Sequence, residues 1–173
     1  MLPAPAGGSG VNPASAAVEE RKWTVQHYKD IIDLAVEWGC PTVLYLAGWY
    51  MFGTRQRDAW KYSIESLAGI AAYAESRGIT LMVEPQAADS NLVESADDAL
   101  NMMEDSKSSN VKVMFDIFHV LYRNEVPSDY VYAMGRNLKH IHMSDYRAFL
   151  PGRGDSISCR SCKHSKTSPM TAT

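Results

Sequence analysis

Apolar and polar positions alternate between two periods along the chain. After Trp23, the residues Tyr28, Ile31, Ile32, Leu34, Ala35 and Trp38 recur at three- and four-residue spacings, which predicts a helix stopped by Gly39. Residues 42–47 form a short apolar run closed by Gly48 and read as a buried strand. A second helix is predicted over 57–77, with Trp60, Ile64, Leu67, Ala68, Ala71 and Ala74 on one side and Gly78 at its end. The cycle then repeats. Residues 79–84 read as a strand ended by Pro85, and 95–104 as a helix with Ser95 as its N-cap and Asp97 and Asp98 in its first turn. Residues 111–116 read as a strand, 129–137 as a short helix and 138–143 as a further strand. Strands and helices alternating at about thirty-residue intervals predict βαβ units and a parallel sheet.

The flanks differ from this pattern. Residues 1–22 are rich in Pro, Gly, Ala and Ser and are expected to be flexible until Glu19; residues 156–173 are Ser/Thr-rich, without periodicity, and are expected to be disordered. The expected organisation is therefore a lead-in over 1–22, a domain over 23–155 and a tail over 156–173. The start lacks the basic and apolar regions of a secretory signal, and no window is apolar enough for a membrane helix. With 17 Lys and Arg against 20 Asp and Glu, the net charge of −3 argues against a nucleic-acid partner. Three cysteines, Cys40, Cys159 and Cys162, make no disulfide framework, so a reduced cytoplasmic setting is expected. Cys40 beside Pro41 reads as a small buried apolar residue. Cys159, Cys162 and His164 fall short of the four ligands of a structural zinc site, and the Arg153-Gly154-Asp155 tripeptide reads as chance.

Parallel α/β architectures gather function at the carboxyl ends of their strands. Here the second predicted strand ends in Glu84, the third in Asp116 with His119 three residues on, and the fourth in His142 with Asp145 after it. Each has a plain structural alternative: Glu84 as a cap, Asp116 as a turn former, His119 as a satisfied core histidine. His140 shares strand parity with His142 and could simply fill the interior. Three consecutive strand ends delivering these residue types nonetheless point to one site. Two carboxylates and an imidazole suit a divalent ion such as Mn2+, Co2+ or Zn2+, which can polarise a carbonyl while a carboxylate moves a proton.

The runs YKDIIDLAVEWGCPTVLYLAG, SLAGIAAYAESRGITLMVEP, VMFDIFHV and LKHIHMSDYRAFLPGRGD, in that order, resemble the sugar phosphate isomerase/epimerase family of xylose isomerase-like TIM barrels. The stretch EPQAADSNLVES is most similar to the ketose 3-epimerase and fructoselysine epimerase branch. The resemblance covers about residues 24–155 and implies a partial (β/α)8 TIM barrel. It implies Glu84, Asp116 and His142 as ligands of a divalent metal (Mn2+, Co2+, Mg2+ or Zn2+), with Glu84 also transferring a proton. It further implies substrate contacts from His119, Asp89 and Arg153, and a ketose or sugar phosphate as the partner, epimerised or isomerised through an enediolate. The family adds a fourth ligand, a glutamate on its last strand that is also the opposite proton carrier. No counterpart is readable after Gly154, so the chain is expected to be truncated, and weakly active or inactive. Two alternatives accompany this reading: a metal-dependent abasic-site endonuclease of the same superfamily, and a non-catalytic fragment whose open barrel edges drive association with another chain.

Overall fold

The computed structural model describes residues 11–144, and the sheet it shows is the parallel one expected. The elements run α1 (Val18–Glu37), β1 (Thr42–Tyr45), α2 (Gln56–Ser76), β2 (Thr80–Val83), α3 (Ala96–Asp105), β3 (Val111–Asp116), α4 (Ile117–Tyr122), α5 (Pro127–Met134), a 3-10 turn (Gly135–Asn137) and β4 (Leu138–His142). The four strands lie in chain order, each parallel to the next. Leu44 stands beside Met82 and Asp116 beside His142, with a register shift at Val113/Met114.

Strand parity divides the interior in two. Val43, Tyr45, Leu81, Val83, Val113 and Phe115 pack with Tyr28, Ile32, Leu67 and Ile70 of the helices in the main core. Leu44, Met82 and Met114 form a separate small cluster on the opposite face of the sheet, joined by Leu46. Because side chains alternate along a strand, that second face also carries Glu84, Asp116, His140 and His142. The site is thus built on the face that the helices do not cover.

Several details depart from the sequence reading. Within the lead-in expected to be flexible, residues 11–22 are packed onto the domain: Val11, Asn12 and Ala14 are buried, and Val18–Lys22 already belong to α1. Polar anchors explain this. Asn12 donates to the Trp49 carbonyl at 2.9 Å and accepts from the Trp49 and Ala14 amides, while the Ser66 hydroxyl bonds the Pro13 carbonyl. Leu34 on α1 and Trp38 at its C-cap are exposed, and on α2 the buried line includes Ser63 and Ser66 whereas Ala68 is exposed. Those serines are admitted because Ser63 Oγ donates to the Ala47 carbonyl and meets the Tyr45 hydroxyl. Cys40 is half-buried against the core and carries a free thiol. The helix expected over 129–137 is α5 followed by a 3-10 turn, and α4 was not foreseen. No helix among the described residues is long and apolar enough to cross a membrane.

Candidate metal centre

Each ligand candidate is held where its strand ends. Glu84 follows β2, and its backbone amide bonds the Tyr45 carbonyl of β1, which fixes the direction of its side chain. Asp116 closes β3 and is at once the N-cap of α4, its Oδ1 accepting from the Phe118 amide at 2.8 Å. His142 closes β4, beside Asp116 in register. The three offer ligand atoms that all lie within 4.8 Å of one another. His142 Nδ1 is 3.4 Å from Glu84 Oε1 and 3.7 Å from Asp116 Oδ2. Glu84 is only 3% exposed, so its carboxylate faces the cluster with little water around it.

The electrostatics follow from this packing. The hydrogen bond with Glu84, and behind it the charges of Glu84 and Asp116, hold the His142 imidazole above its ordinary range despite partial burial. His140 sits edge-on to His142 with ring centroids 5.1 Å apart, and burial together with His142 pushes it down. His140 is not a member of the ligand group and lies half-buried beside it.

His119 and Asp89 are brought together as a second pair. His119 lies on α4, 6% exposed, with Nε2 3.8 Å from Asp89 and Nδ1 accepting from the Ala88 amide at 3.4 Å. An accepting Nδ1 places the proton of a neutral ring on Nε2, toward Asp89. The loop after β2 therefore touches both clusters, since Gln86 Nε2 also donates to Glu84 Oε2 at 2.9 Å. That loop is tied to the one after β1: Asn91 both donates to and accepts from the Tyr50 backbone, and Ser90 Oγ bonds the Gly48 carbonyl. Sequence reasoning missed Gln86, Asn91 and Ser144. Only Ser144 left a readable signal, sharing the parity of His140 and His142 just beyond the strand. Asp145, Arg153, Cys159, Cys162 and His164 lie outside the described residues.

The donor set fits a divalent cation. Two carboxylate oxygens and an imidazole nitrogen are the ligands of an ion of intermediate hardness, and each carboxylate has a second oxygen bonded to a neighbouring donor, as ligating carboxylates do. Among the described residues this is the one group of three or more such side chains able to share an ion.

A parallel α/β sheet whose consecutive strand ends deliver Glu, Asp and His to one point is that of a barrel-type protein with a candidate metal centre at the strand mouths. The chain belongs to the xylose isomerase-like TIM barrel family, whose model matches residues 2–164. It is similar to the D-psicose 3-epimerase of Ruminiclostridium cellulolyticum, 29% identical over 100 residues that make up 57% of this chain and 34% of the relative. It is similar also to the fructoselysine 3-epimerase of Shigella flexneri, 28% identical over 140 residues, 78% of this chain and 51% of that protein. Among solved structures, a D-psicose 3-epimerase from Clostridium cellulolyticum with D-tagatose superposes with a TM-score of 0.76 at 23% identity, over 86% of this chain and 53% of the other. A 3-keto-D-glucoside 4-epimerase from E. coli gives 0.81 at 18% identity, over 91% and 64%. These two likenesses establish the fold. The chain spans a third to a half of the length of these two curated relatives.

Proposed function

We propose that this chain carries the metal-binding half of a sugar isomerase or epimerase acting on a ketose, phosphorylated or free, by proton transfer beside the carbonyl. The observation that carries the reading is the convergence of Glu84, Asp116 and His142 from three consecutive strand ends. The relatives named above as 3-epimerases support the reaction class. A divalent ion held by the three would act as a Lewis acid toward the ketose oxygens.

Glu84 is the proton carrier in this reading. Its Oε2 receives one hydrogen bond, from Gln86, and keeps a second lone pair for a proton. Its burial leaves the carboxylate weakly solvated, which favours its taking the proton, while slow exchange with solvent water renews it for the next turnover. Taking the C3 proton leaves the electron pair delocalised onto the C2 oxygen as an enediolate; a proton returned to the other face inverts C3. Among the described residues Glu84 serves one face only. His119 and Asp89 are assigned to substrate oxygens, as is Arg153 by resemblance. A cytoplasmic setting belongs to the same proposal.

The test is solvent exchange. With Mn2+ in D2O and D-fructose, D-psicose or L-ribulose, the C3 proton signal should decay slowly in NMR, and Glu84→Gln should abolish the decay. A chain that binds Mn2+ yet leaves the C3 proton of all three sugars intact sinks the epimerase reading. Nicking of abasic-site DNA with Zn2+ in place of exchange would hand the assignment to the endonuclease alternative.

A further inference from the structure

The two carboxylates of the centre are not equivalent, and the difference lies in who holds their second oxygen. Asp116 Oδ1 accepts from the Phe118 amide at 2.8 Å and from the Ser144 hydroxyl at 2.5 Å. The Phe118 amide also reaches Ser144 Oγ, at 3.2 Å. An amide can only donate, so the single hydroxyl proton of Ser144 is committed to Asp116. Both lone pairs of Oδ1 are then taken, and Oδ2, on the His142 side, is the oxygen left free. Glu84 Oε2, with Gln86 as its one donor, retains a lone pair.

We propose that Ser144 is a positioning residue that makes Asp116 a fixed one-oxygen ligand, differentiating it from Glu84, whose spare lone pair is kept for the proton. Ser144 lies two residues beyond His142 at the end of β4, so one short segment supplies both a ligand and the group that orients its neighbour. An Asp116 that offers one oxygen would leave more of a bound ion's coordination positions to substrate oxygens than a chelating Asp116 would. The inference deepens the metal-centre reading and rests on it.

The test compares wild type, Ser144→Ala and Ser144→Thr by Mn2+ titration calorimetry, by the visible spectrum of the Co2+-loaded protein, and by thermal unfolding without metal. Ser144→Ala should bind Mn2+ about tenfold more weakly, the usual scale for loss of a group behind a ligand. It should also shift the Co2+ bands, as the freed lone pair lets Asp116 chelate. Ser144→Thr keeps the hydroxyl and should restore both. A wild-type Co2+ spectrum and Mn2+ affinity in Ser144→Ala would overturn the inference while leaving the metal centre intact. So would a lowered metal-free melting temperature with an unshifted spectrum, which would make Ser144 a mere support of α4. Failure of wild type to bind either ion would sink the metal centre itself, and this inference with it.

Discussion

Gly48 is a single position where backbone geometry is dictated by a neighbour. Its φ is +81°, and a Cβ there would stand 2.2 Å from Asn12 Oδ1, within the clamp on Trp49. Gly48→Ala combines left-handed strain with a lost close approach, so it should destabilise by about 1–3 kcal/mol, read by chemical denaturation. At His142 the effect is one of charge. Its folded-state pKa is raised, chiefly by the hydrogen bond with Glu84. Protonated His142 therefore stabilises the metal-free fold fully below the unfolded value, and that contribution is lost as pH rises through the folded one. A cation cannot ligate a cation, so Mn2+ affinity should rise across the same window, above about pH 6.5. Affinity independent of pH there would remove His142 from the ligand set. Glu84 and Asp116 were legible because each ends an apolar run, and His142 because it closes the next strand in the same cycle. Gln86 and Asn91 were not, because a lone polar residue in a loop looks the same whether it meets solvent or a functional group; Ser144 shared the parity of His140 and His142, a signal left unused.

At the scale of elements, the strands and long helices were readable from periodicity, and the failures have physical causes. The unforeseen α4 is six residues long and follows β3 without a break. The run VKVMFDIFHV is apolar on both sides of Asp116, so neither period stands out. Asp116 itself was read as a strand end or turn former, and its second task as the α4 N-cap was missed. The two tasks can be separated. Asp116→Asn keeps an oxygen for the Phe118 amide and should leave stability nearly unchanged, yet remove an anionic ligand and weaken Mn2+ binding. Asp116→Ala loses both, and should unfold about 1 kcal/mol more easily than Asp116→Asn, the usual worth of an N-cap. Equal stabilities of the two variants in thermal unfolding would show that the cap contributes nothing. The ordered lead-in belongs to the same lesson. Its burial comes from the Asn12 side chain bonding a backbone 37 residues away, which no local pattern discloses.

For the molecule as a whole, the centre joins β2, β3 and β4, so it is a point where binding and folding are coupled. An ion that binds only the folded chain stabilises it by about 2.7 kcal/mol at a hundredfold excess over its dissociation constant. Without the ion the same arrangement is a liability. Glu84 is buried and its ligand oxygen lies within 4.8 Å of that of Asp116. Above the titration of His142, two carboxylates, one of them buried, stand close together without a positive charge between them, at a cost in repulsion and in the burial of Glu84. Glu84→Gln removes one of those charges and keeps the shape, since its amide oxygen can still accept from Gln86. The metal-free variant should therefore melt at or above the temperature of metal-free wild type, while Mn2+, which raises the melting point of wild type, should no longer move that of the variant. The two curves would then cross as metal is added. If Glu84→Gln instead lowers the metal-free melting temperature and still responds to Mn2+, Glu84 is a structural group and the ion, wherever it sits, is not held by these three strand ends.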